Sequence, residues 1–256
     1  MRKTVTVHRV LDPNAGVKIR PGTCALAVMT KAPRAGKVKT RLTPPLTPEE
    51  AAALNVCFLR DTSRAITSAR AQANAQGIGV YTPVGEEKAY VDILPDEFQL
   101  LSQRGDGFGE RLIYAAEDLF ALGFHSLCLI DSDSPTVPES TYLQAAQALA
   151  RTGDRMIFGP SDDGGYYLIG LKKMHRRLFE EIAWSSERVA AQTLQRAQEI
   201  GLEVEFLPTC YDVDDRATLR RLCDGLLAGN EQAPATKHFL KQLIEREGRE
   251  RIWPNE

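Results

Sequence analysis

No apolar run in the 256 residues approaches the roughly 18 that a membrane-crossing helix needs. The amino-terminal residues are polar and charged and lack the apolar centre of a secretory leader. The expectation is a soluble, cytoplasmic protein with no membrane partner. Polybasic stretches are absent and the formal net charge is −2, which speaks against non-specific nucleic-acid binding. The five cysteines (Cys24, Cys57, Cys128, Cys210, Cys223) are odd in number and contain no Cys-x-x-Cys pair. They read as reduced packing residues, not as zinc ligands or a disulfide frame. His8, His125, His175 and His238 lie far apart without metal-ligand spacing. The Gly-x-x-x-x-Gly-Lys-Ser/Thr phosphate loop is also missing.

What is present is an ordinary globular composition, 43% hydrophobic and 26% charged, in a chain long enough to bury a sizeable core. Short apolar runs alternate with helical patterns, which predicts a mostly parallel sheet with helices on both faces. Strands are expected at Cys24–Met29, Ile78–Thr82, Gln99–Ser102, Leu127–Ile130, Met156–Phe158, Tyr166–Leu171 and Glu203–Leu207. Thr47-Pro-Glu-Glu50 is a capping-box pattern and opens a helix to about Ser68. Further helices are expected at Glu110–Leu122, Thr141–Arg151, Glu187–Ile200 (capped by Ser185 or Ser186), Arg216–Leu227 and Lys237–Arg246. The predicted organisation is an N-terminal extension over 1–22, one domain over 23–228, and a linker with a terminal helix over 229–256. Phe239, Leu240 and Leu243 offer a dimer contact, so the expected state is a monomer or homodimer.

Four segments that follow strands carry the unusual polar residues, and open α/β sheets bind ligands at such strand ends. Lys31, Arg34, Lys37, Lys39 and Arg41 place five cations in eleven residues with no acid among them. A nucleotide di- or triphosphate would neutralise them, with Arg clamping phosphate in a bidentate way. Asp131 and Asp133 follow the run Leu127–Ile130, and alternation along an extended chain points both to one side. Two carboxylates beside phosphates suit a hard divalent cation. In Asp162-Asp-Gly-Gly165 the paired glycines, Gly164 and Gly165, permit close backbone approach, and Asp163 can act as a base. Asp212 and Asp214 form a second Asp-x-Asp; for Asp214 and Asp215, capping the next helix is the bland reading.

Lys31-Ala-Pro-Arg-x-Gly-Lys-x-Lys-Thr-Arg-Leu42, Gly105–Arg111, Ser132-Asp-Ser-Pro135, Asp163-Gly-Gly-Tyr-Tyr-Leu-Ile-Gly-Leu171, Trp184-Ser and Asp212-Val-Asp214 resemble the radical-SAM/selenodomain-associated transferase family. That family, often labelled an arsenosugar-biosynthesis glycosyltransferase, lies within the GT-A-type nucleotide-diphospho-sugar transferase superfamily. The resemblance spans Cys24 to Leu227. It implies a GT-A/Rossmann-like three-layer sandwich with a mostly parallel mixed sheet, a nucleotide-activated donor, and Mg²⁺ or Mn²⁺ on Asp133 with Asp214 as partner and Asp212 beside them. Asp131 stands where that family has glycine, and joins the metal shell or crowds the ribose.

The leading expectation is a glycosyltransferase moving a sugar from a nucleotide-sugar to a small-molecule acceptor. Lys31, Arg34, Lys37, Lys39 and Arg41 would hold the diphosphate and Asp163 would activate the acceptor hydroxyl. Arg111 and Trp184 are further candidates, Trp184 by stacking. Lys-x-Lys-Thr-Arg-Leu also resembles the 2-phospholactate guanylyltransferases. The alternative is therefore a nucleotidyltransferase that couples an NTP to a phosphate- or phosphonate-bearing molecule and releases pyrophosphate. A nucleotide-binding module without catalysis is the third reading.

Overall fold

The structure is a computed structural model that describes residues 7–16, 19–229 and 232–253. The parts of the expected extension, linker and terminus at 1–6, 17–18, 230–231 and 254–256 lie outside the described residues. Seven strands form one sheet among the described residues: β1 (Cys24–Lys31), β2 (Ala75–Thr82), β3 (Gln99–Ser102), β4 (Ser126–Ile130), β5 (Arg155–Pro160), β6 (Tyr166–Leu171) and β7 (Glu203–Phe206). Their order is β3-β2-β1-β4-β6-β5-β7. β6 runs antiparallel to both neighbours and every other pairing is parallel. The mixed, mostly parallel sheet read from the sequence is thus observed.

Alternation along β1 explains the layers. Cys24, Leu26 and Val28 face one apolar cluster while Ala25 and Ala27 face another. A strand buried on both faces needs helices on both. Leu59 and Ile66 of α1 (Pro48–Arg70) and Tyr142 and Leu149 of α3 (Glu139–Ala150) cover the first face. Leu112 and Leu119 of α2 (Phe108–Ala121) and Ala197 of α4 (Val189–Glu199) cover the second. The predicted capping box is formed: Thr47 Oγ1 accepts from the Glu50 N–H at 3.2 Å and Glu50 accepts from the Thr47 N–H at 2.9 Å.

Part of the amino-terminal segment lies along the free edge of β3. Val10 bridges Leu100 in parallel, and the buried His8 ring nitrogens lie 3.1 Å from the Phe98 carbonyl and 3.3 Å from that of Tyr90. At the other end of the chain, α5 (Arg216–Leu227), α6 (Pro234–Glu247) and α7 (Arg249–Ile252) pack with Leu54 and Phe58 of α1 into a third apolar cluster. Leu240 and Leu243 are fully buried inside it. The dimer contact expected of them is corrected, because the chain itself covers that face. Asp61 of α1 replaces a local cap for α6: its carboxylate accepts from the Ala235 N–H (2.9 Å), the Thr236 N–H (2.8 Å) and the Thr236 hydroxyl (2.7 Å). All five cysteines are free. No helix among the described residues is long and apolar enough to cross a membrane.

Two local expectations are corrected. α4 begins at Val189 and not at Glu187, and neither Ser185 nor Ser186 caps it. Ser185 instead takes a left-handed conformation (φ 64°) and Ser186 Oγ donates to the Ala183 carbonyl at 2.7 Å. β4 ends at Ile130, so the alternation expected to align Asp131 with Asp133 stops before either residue. Asp131 accepts from the Ser134 hydroxyl at 2.7 Å, whereas Asp133 faces Lys39.

Candidate active site

The carboxyl ends of the parallel strands place the segments after β1, β4 and β5 at one edge of the sheet, together with the start of the antiparallel β6 and the chain leading into α5. Lys39 holds two of these segments together. Its backbone is left-handed (φ 48°, ψ 38°), a conformation costing about 1 kcal/mol for a non-glycine residue and typical of functional sites. Its ammonium lies 2.7 Å from Asp133 Oδ1, 3.0 Å from Asp214 Oδ1 and 2.8 Å from the Val213 carbonyl, with the Phe58 ring 5.5 Å away. The side chain is only 4% exposed. Burial alone would drive its pKa down, but the two carboxylates outweigh burial and hold it above the ordinary lysine value. Lys39 is therefore a fixed charge at neutral pH.

Arg41 makes the second tie, pairing with the other oxygen of Asp214 while remaining exposed. Asp214 is thus committed to cations and leaves the capping of α5 to Asp215, which accepts from the Thr218 N–H at 2.8 Å. Asp212 accepts from the Ser161 hydroxyl at 3.2 Å. Burial first, then the nearby charges of Asp214 and Asp163, raise its pKa to about 6. Asp131 is pushed well above the ordinary carboxylate range, by burial and then by the charge of Asp133.

Around Lys39 opens a cleft of about 250 Å³ lined by Lys31, Lys37, Thr40, Arg41, Ser132 and Asp133, among others. Lys31 and Lys37 are exposed and form no ion pair among the described residues. Arg34, expected here, pairs instead with Glu86 and does not line the cleft. The loop's five cations are therefore not all awaiting an external anion, since Glu86, Asp133 and Asp214 already face three of them. Arg111 donates to the Gly105 carbonyl at 3.3 Å and holds the loop before α2. Reading the sequence missed Asn55, a 4% exposed residue on α1 whose Oδ1 has no partner among the described residues and which lines the cleft. The available signal was an amide on the apolar face of a helix, between Leu54 and Cys57.

Arg41 and Asp214 also border a second cavity of about 420 Å³, walled by Phe108, Tyr166 and Trp184 and by Asp163, Gly165, Ser185 and Glu187. Asp163 accepts from the Gly165 N–H at 2.8 Å, which fixes one carboxylate oxygen in a turn. Gly164 (φ +90°) permits that turn to seat against the Glu187 backbone, where a Cβ would collide, and its carbonyl accepts from the Ala190 N–H at 2.8 Å. Gly109 has no side chain for a related reason: a Cβ there would strike the Trp184 indole.

The carboxylates of Asp133 and Asp214 converge on one point, which the Lys39 ammonium fills. Among the described residues no cluster of three or more His, Cys, Asp or Glu side chains could enclose a metal by itself. Two carboxylates would fit Mg²⁺ or Mn²⁺ only with phosphate oxygens and water completing the shell.

A family model described as an uncharacterized protein conserved in bacteria (DUF2064) matches residues 65–186. No curated protein matches the chain. A crystal structure from Desulfovibrio desulfuricans G20, of a protein provisionally described as a nucleotide-diphospho-sugar transferase, is 28% identical. It superposes with a TM-score of 0.77 over 88% of this chain and 96% of that one. A Methanothermobacter nucleotidyl transferase (14% identity, TM-score 0.52, 86% and 98% covered) shares the fold. So does a CMP:2-keto-3-deoxy-manno-octonic acid synthetase complexed with CTP (10% identity, TM-score 0.50, 80% and 97% covered). The chain has a GT-A-like α/β fold of the kind found in nucleotide-sugar and nucleotidyl transferases.

Proposed function

We propose that the protein is a metal-dependent transferase that moves a sugar from a nucleotide-sugar to a small-molecule acceptor. The observation that carries this reading is the pair of adjoining cavities that share Arg41 and Asp214, one cationic and one walled by aromatic rings and carboxylates. Lys31, Lys37, Lys39 and Arg41 bind the diphosphate, and their charges oppose the negative charge that grows on it as the sugar–phosphate bond breaks. Asp133 and Asp214 would hold Mg²⁺ or Mn²⁺, with Asp212 beside them, and the ion would supply further charge neutralisation at the phosphates. Asp163 stands in the second cavity with one oxygen fixed by Gly165. Its other oxygen orients the acceptor hydroxyl and takes its proton. The resemblance to the radical-SAM/selenodomain-associated transferases supports sugar transfer.

Nucleotidyl transfer is the second reading, favoured by one feature: Lys31 and Lys37 add two cations beyond those that Asp133 and Asp214 already face. That surplus suits a triphosphate. Incubation of the purified protein with Mn²⁺, a panel of nucleotide-sugars and NTPs, and both hydroxylated and phosphate-bearing acceptors decides between them. Acceptor-dependent release of a nucleoside diphosphate is expected. Acceptor-dependent pyrophosphate release from an NTP, with no turnover of any nucleotide-sugar, would replace the first reading by the second.

A further inference from the structure

The second cavity differs sharply from the cleft it adjoins. Phe108 is 54% exposed although it is wholly apolar. Its ring meets that of Trp184 edge-on, with centroids 5.3 Å apart and planes at 73°. Two glycines and one strained residue fix this wall. Gly109 leaves room for the Trp184 indole, Gly164 docks the Asp163 turn on the Glu187 backbone, and Ser185 is held left-handed between Trp184 and Glu187. Rings positioned this way are ready before a ligand arrives, so little ordering cost remains to be met on binding.

Charge in the cavity is one-sided. Asp163, Glu187 and Asp214 line it, and Arg41, the single cation lining it among the described residues, pairs with Asp214 here and is taken by the diphosphate in the reading above. An entering anion would meet carboxylates with no free positive partner, a juxtaposition that discriminates strongly against it. Hydroxyl donors, by contrast, find carboxylate oxygens. The apolar face of a saturated ring finds the aromatic walls, and a cation finds both π-faces and carboxylates.

We infer that this cavity binds the acceptor, and that the acceptor is a hydroxylated ring of carbohydrate type that is neutral or positively charged and carries no phosphate or carboxylate. The inference rests on the transferase reading above and narrows its substrate class. It sets the acceptor apart from the phosphate- or phosphonate-bearing molecule that the nucleotidyl alternative requires.

The test uses the whole protein labelled with 5-fluorotryptophan, whose two indoles, Trp184 and Trp253, give two ¹⁹F resonances. Trp184→Phe assigns them, and the surviving Trp253 signal reports that this variant is folded. The probes are methyl β-D-glucopyranoside, glucosamine and glucose 6-phosphate, each titrated with and without a nucleoside diphosphate (UDP, GDP, CDP and ADP in turn). The first two sugars should move the Trp184 resonance saturably, and the phosphorylated sugar should bind at least about tenfold more weakly than glucosamine. Asp163→Asn combined with Glu187→Gln should shrink that difference to less than about threefold, as expected when the repelling charges are gone. Sugar and nucleoside diphosphate should bind together.

Glucose 6-phosphate binding as tightly as glucosamine would overturn the inference. So would failure of every sugar to move Trp184, or displacement of the sugars by the nucleoside diphosphate, which would mark the cavity as a nucleobase site. Calorimetry of the diphosphates alone reports separately on the transferase reading. If it shows no binding while the sugars still bind selectively, that reading fails and the acceptor assignment falls with it. If the diphosphates bind and the sugars do not, only the acceptor inference fails.

Discussion

Lys39 and Asp133 line the same cleft, and the ammonium lies 2.7 Å from the carboxylate although 94 positions separate them in the chain. The same ammonium also faces Asp214, so it stands where a divalent cation shared by the two carboxylates would stand. Lys39→Met should therefore have opposite effects on two ligands. Nucleoside diphosphate affinity should fall at least about tenfold as a charge-assisted contact is lost. Mn²⁺ affinity of the nucleotide-free protein, read from the free-ion EPR signal, should rise by at least about tenfold once the competing charge is gone. Unchanged Mn²⁺ affinity would show that Lys39 and the metal do not share the position.

The cations of the first loop are not equivalent. Arg34 is turned to Glu86, away from the cleft that Lys37 lines. Arg34→Ala should change nucleoside diphosphate affinity by less than about threefold, as for an exposed pair that contributes little. Lys37→Ala should lower it by about tenfold and flatten its salt dependence. Calorimetry at two salt concentrations separates the two. Equal losses would place Arg34 on the phosphates after all.

Gly164 joins the Asp163 turn to the segment that carries Trp184. Its φ of +90° and the backbone of Glu187 beyond it leave no place for a side chain. Gly164→Ala should cost about 1–3 kcal/mol of stability and reduce turnover at least about tenfold through displacement of Asp163 and Trp184. Gly109→Ala should spare the turn and push only the indole, raising KM for the acceptor more than it lowers kcat. Denaturant titration and steady-state kinetics of both variants are the measurements. Wild-type kinetics in Gly164→Ala would exclude the cavity from the reaction.

Much of this arrangement was legible in the chain and some of it was not, for physical reasons. The Thr47–Glu50 cap and the Tyr166–Leu171 strand follow from local chemistry, and both are observed, whereas the antiparallel direction of that strand is set by its neighbours in the sheet. The two Asp-x-Asp pairs were recognisable as chemistry at strand ends, but their partners are remote. Nothing near Asp214 announces Lys39 or Arg41, 175 and 173 positions away. The basic loop looked unneutralised because Glu86, Asp133 and Asp214 are distant in sequence and close only in the fold. Ser185 read as a helix cap because serine favours that role locally. The docking of Gly164 on Glu187 overrides that preference.

Asp61 shows the same non-local logic in the interior of α1. Three donors from Ala235 and Thr236 converge on its carboxylate. Asp61→Ala should cost about 3 kcal/mol and loosen α6 first, as seen by hydrogen exchange. Burial is the larger influence on its pKa and, despite those donors, leaves it above the ordinary aspartate value. On acidification the folded chain therefore takes up this proton before the unfolded chain does. The stability difference between wild type and Asp61→Ala should accordingly hold or grow from neutral pH down to the ordinary value of 3.8. A difference that instead holds at neutral pH and is lost as the pH falls through and below 3.8 would mean that the hydrogen bonds, not burial, set the pKa.

The central claim is that the cleft at Lys39 is a diphosphate site. It is tested most directly by a crystal structure with a nucleoside diphosphate and Mn²⁺, the ion located by its anomalous signal. The expected map places both phosphates within hydrogen-bond reach of Lys31, Lys37, Lys39 and Arg41, with the manganese peak between them and Asp133 and Asp214. A nucleotide bound elsewhere, with Lys39 still seated between the two carboxylates, would contradict it.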